Sequence, residues 1–153
     1  MNTSLTIWPE AVIVADLDCR FKALRSLADL FHSVYGFDRE AVLEGLEQRE
    51  ALGSTAFGRG VAIPHCRLPG LQRPTAVLIK LETACDFGAA DAVSVGLVFG
   101  LVSPENAGSA HLHALAAISR LSRDDDRLQA LSDAEDPDAL FALLTNQFLR
   151  DAA

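Results

Sequence analysis

Two apolar runs, Ala76 to Leu81 and Val93 to Val102, constrain this chain more than any other feature. Neither alternates polar with apolar residues, so a strand built from either is buried on both faces and needs other elements to cover both sides. A shorter run of the same kind spans Val61 to Ile63. Helices supply the cover. Phe21, Leu24, Leu27, Ala28, Phe31, Val34 and Tyr35 recur at helical spacing, with Lys22, Arg25, Asp29 and His32 opposite them and Gly36 as the stop. Asp38 is the N-cap of a second helix in which Val42, Leu46 and Arg49 share one stripe. Further helices are expected from about residue 110 to 122 and around Leu128 to Leu131, after the polar Arg123 to Asp126. A last one starts at Asp136, with Pro137 in its first turn and Asp138 complementing the positive dipole end. Helices on either side of interior strands define an α/β sandwich. The 153 residues contain no repeat, low-complexity segment or linker, so residues 1–153 are read as a single domain.

Composition narrows the function. A net charge of −8 argues against nucleic acid, whose phosphates are bound by clustered Lys and Arg, and favours a basic protein partner. Cys19, Cys66 and Cys85 are an odd set without metal-ligand spacing, which suits reduced thiols in a cytoplasm. No basic region followed by a long apolar stretch opens the chain, and Val93 to Val102 is about half the length of a membrane span. The expectation is a cytoplasmic protein without membrane insertion.

The chemistry concentrates in Gly53-Ser-Thr-Ala-Phe-Gly-Arg-Gly-Val-Ala-Ile-Pro-His65, a glycine-rich, hydroxyl-bearing loop running into a short strand that ends on a histidine. Gly58 and Gly60 allow backbone N–H groups to approach an oxyanion, and Ser54 and Thr55 add hydroxyl donors, so the segment reads as a phosphate cradle beside one imidazole. It lacks the Gly-Lys-Ser/Thr ending of a nucleotide-binding P-loop. Alternation places Val61, Ile63 and His65 on one face and Ala62, Pro64 and Cys66 on the other, so His65 and Cys66 do not form a nucleophile/base pair. Pro64 is expected to end the strand where His65 appears.

Of the two histidines near residue 112, periodicity selects one. His111 and His113 lie about 200° apart on a helix and cannot converge on one metal ion. His111 falls on the apolar face with Leu112, Leu115, Ile118 and Leu121, whereas His113 falls with Arg120 on the solvent side. Arg49, at the end of the second helix, presents a planar fork suited to phosphoryl oxygens. Glu47, Glu50 and Arg59 read as solvated charges. Phe57, Val61 and Leu68 flank the reactive histidine and are candidates for an apolar docking collar.

The spacing Gly-x-Gly-Val-Ala-Ile-Pro-His, followed by Ser109-Ala-His-Leu-His-Ala-Leu115 and preceded by Gln48-Arg-Glu50, resembles the fructose/mannitol-type IIA domains of the bacterial phosphotransferase system, and especially their nitrogen-regulatory branch. The resemblance runs from about residue 5 to residue 145. It implies a mixed sheet of about five strands flanked by helices. It further implies a phosphocarrier that receives a phosphoryl group on His65 from a histidine phosphocarrier protein, with His111 and Arg49 in support and no cofactor or metal. The output would be a set of regulatory targets or, in the sugar-transport alternative, a IIB domain; a pure interaction module marked at His65 is the alternative from another class. One departure is visible: the family usually has glycine after Pro-His, where this chain has Cys66.

Overall fold

The computed structural model describes residues 5–152, with side chains through residue 145. Residues 1–4, the start of the segment read as carrying no leader, lie outside the described residues. After a short 3₁₀ turn at Pro9–Ala11 come β1 (Val12–Ala15), α1 (Arg20–Tyr35), α2 (Arg39–Ala51), β2 (Ala56–Gly58), β3 (Val61–Ala62) and β4 (His65–Leu68). The long strands β5 (Thr75–Cys85) and β6 (Val95–Pro104) follow, then α3 (Ser109–Ser122), α4 (Asp125–Asp133) and α5 (Pro137–Ala152). The sheet is mixed, in the order β1-β5-β6-β3-β2, with β4 also pairing β6. The α/β architecture is therefore the one the apolar runs imply, with β5 and β6 at its centre.

Six strands stand where the resemblance implies about five, and Pro64 accounts for the extra one. Val61 and Ala62 pair with Leu97 and Val98 of β6, and His65 and Cys66 pair with Leu101 and Val102, in a single unbroken register. β3 and β4 are thus one line of chain interrupted at Ile63-Pro64, because proline has no N–H for the ladder. The strand does not end at His65 as expected; it resumes there. β1 and β2, both short, also went unread in the sequence.

Two cores lie on opposite faces of the sheet. Leu24, Leu27, Phe31, Val42 and Leu46 of α1 and α2 pack on Val77, Ile79, Val98 and Val102. Ile118, Leu121, Leu140 and Leu144 of α3 and α5 pack on Val61, Ile63, Leu78, Phe99 and Leu101. Neighbouring residues of β5 and β6 enter different cores, as the pleat requires. The helix signals are realised in the caps. Gly36 ends α1 in the left-handed region at φ 77°, Asp38 accepts the N–H of Glu40 at 3.1 Å, and Asp136 accepts the N–H of Ala139 at 2.8 Å. Lys80, near the middle of β5, sends its ammonium to the carbonyls of Leu131 and Ser132, 3.2 and 2.6 Å away, and so ties the end of α4 to the sheet.

The contact that sets the distance between α2 and β4 is Gly45 against Cys66. A Cβ on Gly45 would lie 2.8 Å from the Cβ of Cys66, closer than packed carbon atoms come. Cys66 fits after Pro-His because the helix facing it has no side chain at that point. Gly45→Ala is expected to destabilise by about 1–3 kcal/mol from overpacking, against which the better helix propensity of alanine returns only up to about 1 kcal/mol. In a Cys66→Gly background the same change should become neutral or stabilising. Urea denaturation of the two single variants and the double variant checks this, and additive effects would show that the contact does not set the spacing.

Candidate functional site

His65 opens β4 and is half-buried. Its Nδ1 lies 2.8 Å from the carbonyl oxygen of Ile63, a residue that faces away from β6 and gives its own N–H to the Thr55 carbonyl. A carbonyl can only accept, so Nδ1 carries the proton and the lone pair of the ring sits on Nε2. His111, in the first turn of α3, is buried at 5 % exposure. The two imidazoles stand 5.5 Å apart between ring centroids, tilted by 49°. His113 is exposed on the outer side of the helix.

Arg49 reaches this pair from the last turn of α2. Its Nη1 donates to the carbonyl of Gly53 at 2.9 Å, which spends one of five guanidinium N–H groups on holding the side chain at the helix end. An open cleft of about 400 Å³ is lined by Gly45, Gln48, Arg49, Leu52, His65, Cys66, Arg67 and His111. Three elements therefore bring together the three residues that sequence reasoning nominated separately.

The electrostatics favour neutral rings. Burial holds the pKa of His65 below its ordinary 6.5, and the positive charges of Arg49 and Arg67 push the same way, against the Ile63 carbonyl and Glu50. His111 is lowered to about 4, first by burial and then by Arg67 and His65. At neutral pH both imidazoles are uncharged. Cys66 lines the same cleft, but burial raises its thiol to about 12, so it stays protonated and inert.

Several expected site residues lie elsewhere. Gly58 and Gly60 form the β2–β3 hairpin turn, and Val61 beside them is four register positions from His65, about 13 Å along the strand. Positive φ values of 105°, 60° and 80° at Gly58, Arg59 and Gly60 serve that turn, and Asp91 accepts the Arg59 N–H at 2.9 Å. No phosphate cradle forms next to the histidine from these glycines. The hydroxyls are also committed: Ser54 donates to the Phe87 carbonyl at 2.6 Å and Thr55 to the Glu50 carboxylate at 2.7 Å.

Two supposed solvated charges have structural partners. Glu50 is buried at 7 % exposure and accepts both the N–H and the O–H of Thr55. Arg59 pairs with Asp125 at 2.7 Å.

The expected collar does not assemble either. Val61 has no exposed surface and belongs to the core, and Leu68 lines a separate cleft of about 650 Å³ with Trp8, Tyr35, Phe37 and Arg73. Phe57 alone of the three is largely exposed, at 58 %. The apolar side chain at the histidine cleft is Leu52, 85 % exposed just past the end of α2. Leu112, placed on the core face by periodicity, is instead 62 % exposed; the buried stripe of α3 runs through His111, Ala114, Ala117, Ile118 and Leu121.

Arg67 was missed. Its signal was available, since it lies two residues after His65 on a strand and so shares its face. Ser103, whose Oγ is 2.6 Å from His111 Nδ1, carried no sequence signal, because only the β4–β6 register brings it here.

Two neutral histidines and two arginines in one open cleft make a site suited to an arriving anion. Residues 8–147 match the family described as phosphoenolpyruvate-dependent sugar phosphotransferase system, EIIA 2. The chain belongs to that family. It is 42 % identical over 137 residues to a nitrogen regulatory protein of Bradyrhizobium diazoefficiens, covering 89 % of this chain and 90 % of the relative. The crystal structure of nitrogen regulatory protein IIA-Ntr from Neisseria meningitidis superposes with a TM-score of 0.79 at 28 % identity, over 90 % of this chain and 95 % of that one. The IIA mannitol structure from Escherichia coli shares the fold, with a TM-score of 0.76 at 18 % identity, over 91 % of this chain and 99 % of that one. Relatives named as nitrogen regulatory proteins match at up to 42 % identity, and a fructose-specific EIIA component of Haloferax volcanii matches at 34 % over 64 % of both chains. Among the described residues no helix is long and apolar enough to cross a membrane.

The depressed pKa of His111 links the site to stability. Between its folded value of about 4 and the ordinary 6.5, the unfolded chain binds a proton that the folded protein does not. Stability is then complete above pH 6.5 and falls as the solution is acidified toward pH 4, by about 1.4 kcal/mol for each unit of depression. His111→Gln should flatten this acid limb, measured as urea midpoints across the window. An unchanged limb would mean that His111 titrates normally.

Proposed function

We propose that the chain is a phosphocarrier that accepts a phosphoryl group on Nε2 of His65 from the phosphohistidine of a histidine phosphocarrier protein and uses it in a nitrogen-type regulatory branch. The observation that carries this reading is the bond from His65 Nδ1–H to the Ile63 carbonyl, which leaves Nε2 as the nucleophilic atom in a cleft bearing Arg49 and Arg67.

The transfer is balanced without any proton movement. The Nε2 lone pair forms a new P–N bond while the P–N bond of the donor breaks and its electrons return to the donor imidazole. A neutral ring is the competent nucleophile, and burial together with the two arginines holds its pKa below the ordinary 6.5, so it is neutral at pH 7. Charge on the equatorial phosphoryl oxygens is met by Arg49, Arg67 and His111, in a site that excludes part of the water. Leu52, and Phe57 on β2, are apolar surfaces for the donor to cover. The negative net charge of the protein attracts a basic partner surface, while the cleft itself presents arginines to the phosphate.

Incubation with phosphoenolpyruvate and the two general phosphotransfer proteins should add one acid-labile phosphoryl group, seen by intact mass. His65→Ala should abolish it while remaining folded. His111→Ala should slow the transfer by on the order of 10²-fold without moving the modification. Full uptake by folded His65→Ala would overturn the assignment, and an unchanged rate for His111→Ala would make that ring structural.

A further inference from the structure

Ser103 has no part in the chemistry above. It sits on β6 opposite Arg67 of β4 and is fully buried, at 0 % exposure. A buried hydroxyl requires a partner. Among the described hydrogen bonds, that of the Ser103 side chain is to His111 Nδ1, at 2.6 Å. Two proton arrangements fit the distance. With the proton on Nδ1, the ring donates to the Ser103 oxygen and the hydroxyl proton is left without an acceptor in a dry interior. With Nδ1 bare, the hydroxyl donates to it, both groups are satisfied, and the single proton of the neutral ring stands on Nε2.

We propose that Ser103 is a positioning residue whose hydroxyl donates to His111 Nδ1 and thereby fixes His111 as the Nε2–H tautomer, a hydrogen-bond donor to the phosphoryl group carried by His65. The proposal rests on the phosphocarrier reading and adds to it the reason that His111 can serve. A neutral imidazole in the other tautomer would turn a lone pair toward phosphoryl oxygens and repel them. Because burial and Arg67 keep His111 uncharged down to about pH 4, the ring does not escape this choice by carrying both protons. The tautomer therefore decides whether the second histidine helps or hinders, and the tautomer is set from the strand beneath it.

Long-range proton–nitrogen NMR on the unphosphorylated wild type reads the tautomer directly. The expected result is His111 as Nε2–H, with Nδ1 shifted as a hydrogen-bond acceptor; a proton on Nδ1 overturns the proposal even if no variant folds. Ser103→Ala should lose the acceptor shift at Nδ1 and slow phosphoryl uptake by about 10-fold, the lower end of what is lost when a partner orienting an imidazole is removed. Ser103→Thr, which keeps the hydroxyl, should restore both. Folded Ser103→Ala with wild-type uptake, or with the Nδ1 signal unmoved, overturns the proposal. The tautomer is read before any phosphate is present, so its failure counts against Ser103, whereas failure of the wild type to take up phosphate counts against the phosphocarrier reading.

Discussion

The site depends on one carbonyl that the sheet does not use. Ile63 turns away from β6 and gives its N–H to the Thr55 carbonyl, while the Thr55 N–H goes to the Glu50 carboxylate, so the Ile63 oxygen is left outside the ladder. The imidazole two residues later takes it, at 2.8 Å. That bond fixes which nitrogen of His65 bears hydrogen, which one faces the cleft, and how the ring is turned toward His111. The strand resumes at once in the same register, and the Pro64 carbonyl accepts the Leu101 N–H at 3.0 Å. The histidine is thus held by a rigid sheet on both sides of a single defect.

Around this ring the protein trades charge for shape. The chain is acidic overall, yet the cleft carries Arg49 and Arg67, and its two histidines are kept neutral by burial. An empty site of that kind is electropositive without being protonated, so the nucleophile stays available while the field favours an arriving anion. The supports lie one layer out. Gly45 lets α2 settle on Cys66, the Gly53 carbonyl holds Arg49, buried Glu50 pins the Thr55 end of the loop that follows, and Ser103 underlies His111.

Much of this was legible in the sequence, and the failures have physical causes. The unalternated runs gave the two central strands because burial on both faces leaves a one-dimensional trace. His111 was separable from His113 because helical periodicity distinguishes positions 200° apart. The Gly58-Arg59-Gly60 segment misled because a left-handed hairpin turn and a phosphate cradle call for the same residues; only the register with β6 shows that it lies at the far end of the strand. Leu112 misled because it was counted on a face it does not share: at about 100° from His111 it lies nearly opposite the buried stripe of His111, Ala114, Ala117, Ile118 and Leu121. Glu50 and Ser103 acquire their roles from partners that folding brings to them, and a carboxylate or a hydroxyl looks the same in a sequence whether it is paired or solvated.

The central claim is that the Ile63 carbonyl, by holding the Nδ1 proton, makes Nε2 of His65 the phosphoryl acceptor. Long-range proton–nitrogen NMR of the phosphorylated protein measures this without perturbing the chain. The account predicts phosphorus bonded to Nε2 of His65, with Nδ1 still protonated and hydrogen-bonded. Phosphorus on Nδ1, or on any other residue, would contradict it.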